Sequence, residues 1–292
     1  MTTDQVLIGD CRAVLPGLIR RKLKVQTCIT SPPYYGLRDY GLPGQIGIEG
    51  SVSEHVDNLI AVFRQVRNLL SPDGTLWLNL SDTYSGNRVG GRPKNLLGIP
   101  WRVALALQDD GWYLRQDIIW HKPNAMPESV TDRCTRAHEY LFLLSKRPKY
   151  YFDHLAIQEP SLIYEDDKAD AKANFRRDKV KRGAVVPGRT AHDRRDRLPT
   201  TASQLRNRRS VWQIPTSPGR RHGHTAAFPV ELVMPCVLAG TRPGDWVIDP
   251  FGGSGTVAEA ANRFGRRWIS IELDPQYADI HADRTVQRAL AV

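Results

Sequence analysis

Apolar residues gather along the chain in short runs that end on a polar residue, separated by stretches with helical spacing. Val6–Asp10, Lys24–Thr30, Thr75–Leu80, Arg115–His121, His138–Ser145, Trp246–Asp249 and Arg267–Glu272 read as strands. Ala13–Ile19 can wind as a helix behind Asp10. Ser51 opens another, with Glu54 placed for a capping box and Val56, Leu59, Ile60, Phe63, Val66 and Leu70 on one face. Ser71-Pro72-Asp73-Gly74 should end it. Pro100 starts a further helix through Trp101, Val103, Ala104 and Leu107, closed by Gly111. Phe228–Leu238 and Val257–Phe264 complete the helical set.

This alternation predicts an α/β fold with a mostly parallel sheet covered on both faces. Arg115–His121 and His138–Ser145 read as antiparallel neighbours. In such a sheet ligands bind beyond the carboxyl ends of the strands. Asp10, Ser31, Asp82, Asp249 and Glu272 all fall at or near such ends, which points to one shared site. Glycine-rich Tyr35–Gly50 reads as a mobile loop, and Asn87–Asn95 as a polar one. From about Leu155 to Ser210 the periodicity fades and charge takes over. The domain reading is therefore 1–154, an inserted and partly flexible region 155–210, and 211–292. No internal repeat is visible.

The 292 residues suffice for one large α/β domain with an insertion. No run has the length of a membrane span, and the first residues do not form a signal peptide. Cys11, Cys28, Cys134 and Cys236 are scattered without metal-ligand spacing, so a reduced, cytoplasmic protein with no metal site is expected. The net charge is +10, and between Arg176 and Arg209 basic residues exceed acidic ones by 9. A solvated loop is the bland explanation. A concentrated basic segment also suits a polyanion such as DNA.

Two motifs carry chemistry. Ser31-Pro32-Pro33-Tyr34 follows an apolar strand. Each proline fixes φ and lacks an N–H, so the turn is a stiff rim with outward carbonyls. Such a rim can accept the hydrogens of a planar amino group while Tyr34 stacks on its ring, although prolines after a strand are also common loop punctuation. The second motif, Trp246–Thr256, runs from a strand into a glycine-rich turn and a helix. Its backbone N–H groups can approach a ligand closely. Glu272 ends the next strand about 20 residues on, a spacing that suits a carboxylate on ribose hydroxyls.

With both motifs in one chain, the sequence resembles the DNA amino-methyltransferases whose catalytic motif precedes the cofactor motif. The resemblance spans nearly all residues except about 155–210. It implies a seven-stranded, Rossmann-like methyltransferase sheet with one antiparallel strand and permuted order. Ser31, Pro32, Pro33 and Tyr34 would be catalytic. Asp249, Pro250, Phe251, Gly252, Gly253, Ser254, Gly255 and Thr256 would surround the methionine part of S-adenosyl-L-methionine. Glu272 would take the ribose, Asp10 the adenine amino group, and Phe228 would pack nearby, with a helix cap and a core residue as plainer roles for the last two.

Double-stranded DNA is the implied partner. Candidate contacts are Arg38, Lys122, Arg176, Arg177, Lys179, Lys181, Arg182, Arg206, Arg208 and Arg209. Arg38 would clamp DNA with Tyr35 and Tyr40, with local packing as the alternative; Asp82 would face the target base, and both it and Lys122 have structural roles as alternatives. Ser at the first rim position is associated in the family with cytosine N4 and Asp with adenine N6, so Ser31 favours cytosine. A homodimer and a cognate restriction endonuclease are further expectations of the resemblance. Pro235-Cys236 resembles the nucleophile of C5-cytosine enzymes but sits in an apolar helix, where a structural thiol is expected. A nicotinamide dehydrogenase would leave Ser31–Tyr34 without a role. A catalytically inactive DNA-binding protein would not need both motifs intact.

Overall fold

The computed structural model describes residues 4–86, 91–160, 205–216 and 228–286. β1 (Gln5–Ile8) leads into α1 (Cys11–Arg20), and β2 (Val25–Thr30) is buried along its whole length. α2 (Val52–Leu69) begins at Ser51, whose Oγ accepts from the Glu54 N–H at 3.1 Å. The Glu54 carboxylate turns back to Gly50 N–H rather than to Ser51, a one-residue variant of the expected capping box. Leu59, Phe63 and Val66 on its inner face are fully buried, each stabilising the fold by about 1.5–3 kcal/mol.

β3 (Leu70–Leu80) follows without a loop, so α2 ends just before Ser71–Gly74, but these residues form a bulge within a strand that starts earlier than the expected Thr75. Val25 pairs with Leu70 and Thr27 with Thr75, and the surplus residues arch outward between these pairs. Two of their carbonyls are met by the chain after His138–Ser145: Asp73 C=O accepts from Tyr151 N–H at 2.9 Å and Gly74 C=O from Lys146 N–H at 3.3 Å. A Cβ on Gly74 would lie 2.9 Å from the Gln26 carbonyl, which explains the glycine.

α3 (Ile99–Asp109), β4 (Tyr113–His121) and β5 (His138–Ser145) come next. After them lie β6 (Glu159–Pro160), β7 (Leu205–Arg206) and β8 (Val211–Gln213). α4 (Val230–Gly240), β9 (Trp246–Asp249), α5 (Thr256–Arg263), β10 (Arg267–Glu272) and α6 (Tyr277–Val286) complete the described chain.

The chain divides into two compact units. One comprises Met1–Ala156 and Arg209–Val292; the other is Ile157–Arg208. In the smaller unit the described residues include the antiparallel pair β6–β7, held by an Arg206–Glu159 ion pair at 3.0 Å. The larger unit carries one sheet in the order β1-β10-β9-β2-β3-β5-β4-β8. Among its described strands only β5 runs against the rest. Among the described residues the sheet has eight strands rather than the expected seven. The addition is β8, three residues parallel to β4, too short for any periodicity to register.

β2 and β9 are adjacent and parallel. The chain leaves β2 toward the packed helices α1, α2 and α3, and leaves β9 toward α4, α5 and α6. Neighbouring strands departing to opposite faces open a crevice at their carboxyl ends. Among the described residues no helix is long and apolar enough to cross a membrane.

Candidate active site

The crevice is a cleft, and both sequence motifs open onto it. Ser31–Tyr34 line it together with Pro250–Ser254 and Thr256. Asp10, Arg38, Phe228 and Glu272 also line it. Asp249 and Gly255 do not reach the wall and act from behind it.

Asp249 is almost fully buried. Its Oδ1 accepts from the Thr30 hydroxyl at 2.6 Å and from Phe251 N–H at 3.0 Å. Burial lifts its pKa to about 7; the two hydrogen bonds oppose the shift and Glu272 adds to it. The turn then descends over His281. A Cβ on Gly252 would lie 2.9 Å from Ser270 Cβ, and one on Gly255 would lie 2.8 Å from His281 Cδ2. Gly255 also has φ +80°, a backbone that side chains disfavour. Glu272 Oε2 accepts from Gly253 N–H at 2.7 Å, and Oε1 accepts from Asp274 N–H at 2.9 Å. Burial raises this carboxyl's pKa, against the pull of those N–H groups. Glu272 therefore staples the turn as well as facing the cleft.

Asp10 serves two ends at once. It caps α1 through the Arg12 N–H at 2.8 Å, and its Oδ2 receives the Arg12 guanidinium at 2.6 Å. Burial pushes the Asp10 carboxyl up, but the bonds to Arg12 outweigh it and hold the group below its ordinary range. Arg12 also donates to the Gly44 carbonyl at 2.6 Å. This ties α1 to the segment 35–50, whose Leu37, Tyr40, Leu42 and Ile46 face the cleft. The segment, expected to be a mobile loop, carries its own bonds: Gly36 N–H to Gly47 C=O at 2.7 Å and Tyr40 N–H to Gln45 Oε1 at 2.7 Å.

Beneath the rim lies a buried polar chain. The Tyr34 hydroxyl donates to Glu139 Oε2 at 2.7 Å and stands 3.1 Å from Ser31 Oγ. Asn79 Nδ2 donates to the Tyr34 oxygen and to Glu139, each at 2.8 Å. Glu139 Oε1 pairs with the Lys122 ammonium, which also lies 4.4 Å from the Trp120 ring centroid. Sequence reasoning missed Asn79 and Glu139. The available signal for Asn79 was a polar side chain within the apolar run Leu76–Leu80; Glu139, beside His138 at the polar start of β5, gave none.

The other candidates spread out. Lys122 is drawn inward by Glu139. Asp82 accepts from Gly98 and Ile99 N–H groups at 3.0 Å and so fixes the start of α3. Arg206 pairs with Glu159. Arg208 lies in the smaller unit, and Arg209 offers its carbonyl to Trp212 Nε1 at 2.7 Å. Arg176, Arg177, Lys179, Lys181 and Arg182 lie outside the described residues. Cys236 is buried within α4, its thiol 3.3 Å from the Leu232 carbonyl.

Residues 25–283 match the N6_N4_Mtase family, described as DNA methylase. The Type II methyltransferase M.Cfr9I of Citrobacter freundii is 43% identical over 94% of this chain and 85% of its own length. M.SmaI of Serratia marcescens, also a Type II methyltransferase, is 42% identical over 97% of this chain and 91% of its own. Among solved structures, the PvuII DNA methyltransferase (cytosine-N4-specific) has a TM-score of 0.66 at 21% identity, covering 99% of this chain and 89% of that one. A DNA modification methylase from Thermus thermophilus, described as putative and complexed with S-adenosyl-L-methionine, has a TM-score of 0.63 at 24% identity, covering 99% and 96%. With a family match across most of its residues and relatives alike along nearly its whole length, the chain belongs to the N6_N4_Mtase family of DNA methylases.

Proposed function

We propose that the protein uses S-adenosyl-L-methionine to methylate the exocyclic amino group of a base flipped out of double-stranded DNA, and that the base is cytosine, methylated at N4. The observation that supports this most is the single cleft onto which the Ser31–Tyr34 rim and the Pro250–Thr256 turn both open.

The cleft's chemistry suits the methyl donor. Asp10 and Glu272 are acceptors for an adenine amino group and for ribose hydroxyls, Phe228 offers an apolar surface, and the glycine turn leaves backbone exposed. When bound there, S-adenosyl-L-methionine supplies an electrophilic methyl group on a sulfonium. The chain's own residues handle the nucleophile. An exocyclic amine is a poor nucleophile because its lone pair is delocalised into the ring. The Ser31 Oγ and Pro32 carbonyl accept its hydrogens and draw the nitrogen out of conjugation. The Tyr34 ring stacks on the base. Positioning and electrostatics then carry the in-line transfer; the nitrogen gains the methyl group and releases one of its two protons to solvent, without a covalent enzyme intermediate. Because the target lies inside a duplex, it must first be flipped out.

Ser31 is the residue that favours cytosine, by the family association of Ser with N4. Adenine N6 uses the same geometry and is the second outcome of any base analysis. The basic segment of residues 155–210 is assigned to target recognition, with Arg38 and the arginines near 206–209 on phosphates. The reading extends to a cytoplasmic homodimer accompanied by a restriction endonuclease, and sedimentation would check the pairing. The direct test is tritiated methyl transfer to duplex DNA. Incorporation by the wild type and its loss in Ser31→Ala are expected; no incorporation by the wild type would reject the proposal.

A further inference from the structure

One group fixes the direction of the hydrogen bonds beneath the rim. Glu139 is 7% exposed, its Oε1 holds the Lys122 ammonium, and its Oε2 lies 2.7 Å from the Tyr34 hydroxyl. A carboxylate only accepts, so Tyr34 must donate its O–H to Glu139. The phenol oxygen is then left to accept, from Asn79 Nδ2 at 2.8 Å and from the Ser31 hydroxyl at 3.1 Å. The same carboxylate orients Asn79. Turned over, its Oδ1 would oppose the Glu139 oxygen, acceptor against acceptor. Ser31 has one proton, and Tyr34 takes it. Among the described residues its remaining lone-pair capacity is met only by the long 3.4 Å approach of Asn79.

We propose that Glu139 is a positioning residue that sets the hydrogen-bond polarity of the rim, so that Ser31 meets the target amino group as an acceptor. This rests on the role proposed above for Ser31. An amino group offers hydrogens, and a serine that pointed its own proton into the cleft would oppose them. Burial, together with Glu139, also raises the pKa of Tyr34 well above its ordinary value, so the phenol keeps the proton it donates. The chain Glu139–Tyr34–Ser31 thus passes the fixed polarity of a buried ion pair to the reacting edge of the site.

Glu139→Gln tests this, because it keeps the shape but brings an amide that can donate to Tyr34 and reverse the chain. Tyr34→Phe keeps the stacking ring and cuts the chain one link nearer Ser31. Single-turnover methylation of duplex DNA is expected to fall about tenfold or more in each variant. KM for DNA and for S-adenosyl-L-methionine should stay within about twofold of wild type, so that the loss falls on kcat. Glu139→Gln combined with Tyr34→Phe should be no slower than Tyr34→Phe alone. A wild-type rate in Glu139→Gln, or penalties that multiply in the double variant, would overturn the proposal. Should Glu139→Gln fail to fold, Tyr34→Phe decides, and a wild-type rate there overturns it. Ser31→Ala run in parallel separates the two readings. If it retains the wild-type rate, the assignment of Ser31 fails; if it is impaired while Glu139→Gln is not, only the role of Glu139 fails.

Discussion

The Thr30 hydroxyl donates to Asp249 Oδ1 at 2.6 Å, tying the end of the rim strand to the end of the cofactor strand across 219 residues of sequence. The bond holds the two halves of the cleft in register, and it sits on a carboxyl that burial has lifted from 3.8 to about 7. Between those values the folded chain keeps a proton that the unfolded chain has released. The Asp249 contribution is therefore most favourable below about pH 4 and declines as pH rises toward 7, by on the order of 4 kcal/mol at the limit. Asp249→Asn should flatten this slope. Urea midpoints at pH 5 and pH 8 would show the variant gaining relative to wild type at the higher pH. An equal difference at both would contradict the assignment.

His281 occupies the space that a side chain on Gly255 would need. Gly255→Ala places a methyl 2.8 Å from the imidazole at φ +80°. We expect a loss of about 2–4 kcal/mol in stability, with weakened cofactor binding. His281→Ala opens the space, so the double variant should lose less than the sum of the two single losses. Thermal melting and calorimetric titration with S-adenosyl-L-methionine check this. Strict additivity would mean that the contact does not limit the turn.

Arg12 joins Asp10 to the Gly44 carbonyl, each at 2.6 Å. Side-chain exposure of 32% for Arg12 and 30% for Asp10 limits what the ion pair contributes to overall stability. Its effect should appear in the cleft instead. Arg12→Met is expected to weaken S-adenosyl-L-methionine binding by about three- to tenfold, near 1 kcal/mol. The methylation rate at saturating cofactor should be unchanged. A fall in that rate with unaltered affinity would place Arg12 in the transfer step.

Cys236 lies buried in α4 with its thiol against the Leu232 carbonyl. That setting is structural, so Cys236→Ala should retain methylation and lose about 1–2 kcal/mol of stability. Abolished methylation in a variant that melts normally would revive a thiol nucleophile.

The strands and both motifs were legible because their signals are local: apolar runs, paired prolines, and glycines before an acid. Ser71–Gly74 misled because proline, aspartate and glycine are turn residues, and only the pairing of Val25 and Thr27 with β3 reveals a bulge. β8 was missed because three residues carry no period. Glu139 and Asn79 lie 60 residues apart in sequence and meet only once β3 and β5 pair, so their joint hold on Tyr34 could not be read in advance. Lys122 looked like a surface cation until its carboxylate partner was in place.

Nucleoside mass spectrometry of duplex DNA treated with the protein and S-adenosyl-L-methionine separates amino-group transfer at the rim from every other outcome. N4-methylcytosine, absent when Ser31→Ala replaces the wild type, is the expected product. N6-methyladenine alone would overturn the choice of base, and unmodified DNA or C5-methylcytosine would contradict amino-group transfer at the Ser31–Tyr34 rim.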